Sequence, residues 1–162
     1  MAEQLYISAE VSKAEKYQQL VPQIKALLDG ETDHIANYAN TAAAIRQVFG
    51  FYWVGFYLVR QQQLVLGPFQ GTIACTRINY GRGVCGTAWK EERIITVSNV
   101  NDFPGHIACD SVSLSEIVIP VFVNGVVVAV LDIDSEYEAH FDETDAQYLQ
   151  QIIHILETRL AI

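Results

Sequence analysis

The sequence predicts an α+β domain: a central antiparallel sheet with helices packed on one face and a ligand pocket open on the other. Three observations lead there. Two segments of helical period occupy the first fifty residues, the middle and later chain switches to two-residue alternation broken by hairpin turns, and one further helical segment closes the sequence. The chain has 162 residues, 51% of them hydrophobic. That suffices for one well-covered core and is short for two ordinary domains, so residues 1–162 are read as a single domain. No repeat, low-complexity segment or linker interrupts it.

Residues 10–29 read as a helix, with Val11, Ala14, Tyr17, Leu20 and Val21 on one stripe and Gly30 as its stop. A second helix starts near Thr32 or Asp33, residue types that cap a helix N-terminus, and runs through "HIANYANTAAAIRQVF" to Gly50. The strand-like segments "FYWVGFYLVR" and "QLVLGPFQG" follow, with the glutamine run between them as a hairpin turn. "GTAWKEER" is expected as a short helix, "IITVSNV" as a strand, and residues 99–114 as a long loop. "SEIVIPVFV", Asn124-Gly125 and "VVVAVLDID" form a second hairpin. The last segment, "DETDAQYLQQIIHILETRLA", is a helix capped by Asp142 with Asp145 in its first turn.

The register of that second hairpin decides which side chains share a face. A two-residue Asn-Gly turn would set Glu116 opposite Ile133, on the face away from Asp132 and Asp134. A three-residue loop of Val123, Asn124 and Gly125 sets Glu116 opposite Asp132, and this register is preferred. It gathers Glu116, Asp132 and Asp134 on one face and leaves Ile117, Ile119, Leu131 and Ile133 for the helices. Alternation also puts Trp53 and Tyr57 on one face of the first strand, with Gly55 expected to leave open space between them as a pocket wall. Three gathered carboxylates resist ionising together, so at least one is expected to hold its proton near neutral pH. The competing reading leaves Asp132 and Asp134 at a solvated strand end and Glu116 as an ordinary strand-initiating acid.

Composition removes several function classes. The net charge is −9, with Lys and Arg scattered, which argues against nucleic acid or an anionic membrane surface as a partner. The first twenty residues lack the pattern of a signal peptide and no apolar run reaches spanning length, so a cytoplasmic protein is expected. In a reducing compartment three cysteines argue against a disulfide framework, and leave inert thiols, a metal site or redox chemistry. Cys85 reads either as a small core residue under the short helix or as a thiol acidified by that helix's N-terminus and Arg82, and the residues alone favour the core residue. Cys109 lies in a loop beside His106 after a Pro-Gly turn, the setting of a reactive thiol. Cys75 ends a stretch near Arg77. The glycines of "GRGVCG" lack the Lys-Ser/Thr ending of a phosphate loop. Zinc held by the three thiols and His106 is disfavoured, because the short paired ligand spacing of structural zinc sites is absent.

The segments "ACTRINYGRGVCGTA", "FPGHIACDS", "SEIVIPV" and "VLDIDS", in this order and spacing, resemble the free methionine-(R)-sulfoxide reductases, a GAF-domain family. The likeness runs from the first helix to the last, and the three cysteines fall where the family's three fall. Asn79 and Tyr80 depart from it, standing where a proline and a phenylalanine are expected.

The resemblance implies a GAF fold and a pocket for a free amino acid sulfoxide. Trp53 and Tyr57 would enclose its methyl group. Glu116, Asp132 and Asp134 would bind its ammonium and sulfoxide oxygen, one of them donating a proton. The substrate carboxylate would be met by amides of the cysteine-bearing loops. The resemblance further implies that Cys109 attacks the sulfoxide sulfur and is left as a sulfenic acid. Cys75 would resolve it to a disulfide, Cys85 being the alternative in either role. Thioredoxin, driven by NADPH, would then reduce that disulfide. No bound cofactor is implied, and a homodimer is expected. The alternative function is a GAF module that senses a small ligand or oxidant without turnover. A third reading, a structural metal-binding protein, would carry zinc.

Overall fold

Ser12 opens the first helix of the computed structural model, which describes residues 4–161. Its side chain accepts from the Glu15 N–H while the Glu15 carboxylate accepts from the Ser12 N–H, a reciprocal cap that starts α1 at Lys13–Leu27. The preceding Glu10 has a φ of 56°, so the helix begins later than its apolar stripe suggests. Asp33 caps α2, His34–Phe49, and Gly50 ends it with a φ of 65° while donating to the Arg46 carbonyl. β1, Trp53–Arg60, turns through Gln61 and Gln62, both left-handed, into β2, Gln63–Gln70. A three-residue strand, β3 at Arg77–Asn79, then pairs with β2. It is too short to show two-residue alternation, so the sequence does not reveal it.

α3 spans Gly83–Glu91, starting three residues before the expected "GTAWKEER". β4 is Ile95–Val97, and a short 3₁₀ turn at Val100–Asp102 opens the long loop. β5, Ser115–Val123, and β6, Val126–Ser135, form the second hairpin. α4, Glu143–Leu160, is capped by Asp142 and Asp145 as the sequence indicates. Among the described residues no helix is long and apolar enough to cross a membrane.

The six strands form one sheet in the order β3-β2-β1-β6-β5-β4, and every pairing is antiparallel. One face carries Val54, Phe56, Ile117, Ile119, Leu131 and Ile133 against the buried stripes of α1, α2 and α4. The other carries Trp53, Tyr57, Val118 and Val130, where the short α3 packs through Val84, Cys85 and Ala88 beside Val100, Phe103 and Ile107 of the long loop. The three long helices thus cover one face, and α3 shields part of the other.

The second hairpin corrects the expected register. Its turn is the two-residue one: Val123 pairs with Val126 around Asn124 and Gly125, both left-handed at φ 52° and 75°. Beyond it Phe122 pairs with Val127 but Val121 pairs with Ala129, so Val128 is an extra residue, a β-bulge that shifts the ladder by one. Glu116 therefore faces Asp134, not Asp132, and Asp132 faces Val118. The bulge supplies the extra residue that the three-residue loop was invoked to provide. Glu116, Asp132 and Asp134 accordingly share the face away from the long helices.

Candidate active site

The central strands carry the site. β1 sets Trp53 beside Asp134 and Gly55 beside Asp132, because its register with β6 pairs those positions. Trp53 lies nearly parallel to Phe69 and Tyr57, with ring centroids 5.2 and 6.0 Å away. Its indole N–H donates to the Thr72 carbonyl at 3.0 Å, and the Tyr57 hydroxyl donates to the Cys75 carbonyl at 2.9 Å. The aromatic wall is thereby fastened to the loop carrying Cys75. Gly55 does not leave open space between the two rings: a Cβ there would overlap the Trp53 ring and the Phe69 Cβ, so the tryptophan fills the room the glycine provides.

Glu116 and Asp132 are each only 6% exposed, and Asp134 is half-buried, so these carboxyls do not sit at a solvated strand end. Burial, with the charges of Asp132 and Asp134 next, raises the Glu116 pKa well above the ordinary range. Burial likewise raises Asp132, to about 6. Asp134 is also well raised, by burial and then by Asp132 and Asp110. His106 brings Nε2 to 3.9 Å from Glu116, and burial lowers its own pKa. Asp132 Oδ1 is buried without a hydrogen-bond partner. The cluster can therefore hold protons near neutrality and offers acceptors to a cationic group.

Cys75 and Cys109 are joined by a disulfide, with Cα atoms 5.5 Å apart and a sequence separation of 34. Cys109 is exposed and Cys75 half-buried, so the bond lies at the pocket mouth. Cys85 is free, 3% exposed, and has Sγ 3.9 Å from Glu116 Oε1. Burial, then Asp132 and Glu116, pushes its pKa well up. Cys85 is therefore the small core residue that the residues alone favour, and not the acidified thiol, since desolvation beside acids outweighs one short helix N-terminus and Arg82. The four-ligand zinc set does not form either, because two of its sulfurs are bonded to each other.

Several lining residues were not picked out by sequence reasoning. Arg82 stood there only as a neighbour of Cys85, yet it is an exposed cation lining the same pocket as the acids. Asp110 also lines it, and its Oδ1 accepts the N–H groups of Val112 and Ser113 at 2.8 and 3.0 Å, shaping the loop that presents Cys109. An aspartate two residues before such donors is the available signal. The departure at Asn79 and Tyr80 is accommodated locally: Tyr80 packs edge-on against Trp89 with centroids 4.8 Å apart, and the Asn79 carbonyl accepts from the Arg82 N–H at 3.1 Å.

Comparison with known proteins agrees with this geometry. The profile of the GAF domain matches residues 33–160. The chain is 56% identical over 158 residues to GAF domain-containing protein A of Dictyostelium discoideum, covering 97% of this chain and 99% of that protein. It is 46% identical over 152 residues to the free methionine-R-sulfoxide reductase of Escherichia coli (strain K12), covering 93% and 92%. The X-ray structure of free methionine-R-sulfoxide reductase from Neisseria meningitidis in complex with its substrate superposes with a TM-score of 0.96 at 52% identity, covering 98% of this chain and 96% of that one. With that likeness end to end, and with the acids, aromatics and thiols set round one pocket, the chain belongs to the GAF-domain family and, within it, to the free methionine-R-sulfoxide reductases.

Proposed function

We propose that this protein reduces free L-methionine (R)-sulfoxide to methionine, acting as a single domain over residues 1–162. The observation that carries the reading is a disulfide at the mouth of a pocket whose floor is acidic and whose wall is aromatic. A free amino acid sulfoxide combines an ammonium, a carboxylate, a methyl group and a polar S=O, and the pocket offers a partner for each. Trp53 and Tyr57 supply an apolar face for the methyl group. Asp132, with its unpartnered oxygen, and Asp134 attract the ammonium. Arg82 is the cation within reach of the carboxylate, alongside loop amides.

In the reduced protein the Cys109 thiolate attacks the sulfoxide sulfur while a protonated carboxyl, Glu116 foremost, donates to the departing oxygen. Methionine leaves and Cys109 carries the oxygen as a sulfenic acid. Cys75 attacks that sulfur, water departs, and the disulfide seen in the structure results. Cys85 has no thiol chemistry in this scheme, since its thiolate is suppressed. A dithiol protein such as thioredoxin, supplied by NADPH, returns the disulfide to two thiols. The proposal includes a cytoplasmic homodimer with no bound cofactor.

An NADPH-coupled assay with thioredoxin and thioredoxin reductase tests this. Turnover is expected on free methionine (R)-sulfoxide, with little on the S epimer or a peptide-bound sulfoxide. Negligible rates on all three would return the protein to a sensor role.

A further inference from the structure

Cys85 is a buried, free sulfur that the proposed chemistry does not use, and it lies against two carboxyls that the same chemistry needs. One ligand atom from each of Cys85, Glu116 and Asp132 can be chosen so that all three lie within 4.8 Å of one another. Each residue rests on a regular element: Cys85 on α3, Glu116 on β5, Asp132 on β6. The spacing is close to that of a first coordination shell. For tetrahedral zinc, bond lengths of about 2.3 Å to sulfur and about 2.1 Å to oxygen place the two donors about 3.6 Å apart. Cys85 Sγ and Glu116 Oε1 are already 3.9 Å apart.

A second, independent observation points to a bound cation. Asp132 is 6% exposed and lines the cavity, and its buried Oδ1 has no hydrogen-bond partner. A buried carboxylate oxygen left unpaired is costly, and a cation in the cluster would satisfy it. His106 Nε2, 3.9 Å from Glu116, is a further donor at the cluster; it or water can take a fourth position.

We propose that Cys85, Glu116 and Asp132 form a site for one thiophilic divalent cation of the zinc class, which on binding displaces the thiol proton and any carboxyl proton of the cluster to solvent, and that its occupancy excludes the sulfoxide from the pocket. The donor set decides the class. A sulfur ligand favours zinc or cadmium, whereas calcium and magnesium require more oxygen ligands than the cluster offers. The site needs neither Cys75 nor Cys109, so it persists in the disulfide form. Exclusion rests on the reading of the pocket as the sulfoxide site; cation binding itself does not.

The test uses the full chain with the Cys75–Cys109 disulfide intact. The sequence has three cysteines, so Cys85 is then the one free thiol. Cadmium chloride is titrated in while the ultraviolet sulfur-to-cadmium charge-transfer band is recorded. The expected result is a band saturating at one equivalent, erased by zinc and unaffected by excess calcium or magnesium. Cys85→Ser should abolish it, and Glu116→Gln should weaken cadmium binding by about tenfold or more. No band in the wild type, or a band retained in Cys85→Ser, overturns the site. If Cys85→Ser does not fold, the wild-type band still decides, because no other free thiol can produce it. Saturating methionine (R)-sulfoxide should shift the titration to higher cadmium; a normal band untouched by a sulfoxide that the enzyme demonstrably turns over overturns the exclusion. Absence of turnover would count against the function instead.

Discussion

Asp132 illustrates how one residue carries opposite demands. Its carboxyl is held at about 6 in the folded protein against an ordinary 3.8, chiefly by burial. Between those values the unfolded chain is ionised while the folded one keeps its proton, so the folded state binds more protons and stability falls as pH rises. The loss is on the order of a few kcal/mol once both forms are ionised. Asp132→Asn should flatten the decline in urea-unfolding free energy between about pH 4 and pH 6, and a slope equal to wild type would contradict the assignment. The difference between the two proteins also removes the contribution of His106, whose lowered pKa acts in the opposite direction. Sequence indicated the acids and their common face through two-residue alternation. It could not indicate their burial, which depends on α3 and the long loop closing over that face. Cys85 was legible as a small core residue, but its contact with Glu116 was not, because that depends on α3 packing over β5.

At the scale of elements, β1 and the α1–α4 contact each depend on one small adjustment. Gly55 gives the Trp53 ring its place: an added Cβ would lie 2.7 Å from Trp53 Cζ3 and overlap Phe69. Gly55→Ala should displace the ring, cost about 1–3 kcal/mol in chemical unfolding, and raise KM for the sulfoxide. An unchanged KM would separate that wall from substrate binding. α1 precedes the matched span 33–160 and is attached to α4 through Asp145, which is fully buried and accepts from Tyr17 at 2.7 Å and Lys13 at 2.6 Å. Tyr17→Phe leaves that carboxylate short of a donor, so unfolding should become easier by about 1–3 kcal/mol with steady-state kinetics unaltered. Helix ends were legible because Asp33, Gly50 and Asp142 act locally. The Val128 bulge was not, because an apolar run such as "VVVAV" carries no mark of which residue is unpaired.

Over the whole molecule, sheet order converts distant segments into one site. β1, β6 and β5 lie side by side, which brings Trp53, Asp132, Asp134 and Glu116 together, and the loops at their margin bring Cys75 to Cys109 across 34 residues. Spacing along the chain could name three thiols but could not say which pair meets, because the 5.5 Å Cα separation is a product of tertiary folding. The most direct measurement is a single turnover of the reduced protein with free methionine (R)-sulfoxide, quantifying methionine and mapping cysteine linkages by mass spectrometry after alkylation. About one methionine per site, a Cys75–Cys109 linkage and an alkylated Cys85 are predicted for wild type. Cys75→Ser should release the same first methionine and then stall with thioredoxin, whereas Cys109→Ser should release none. Methionine release from Cys109→Ser, or a Cys85–Cys109 linkage in wild type with sustained turnover by Cys75→Ser, would contradict the account.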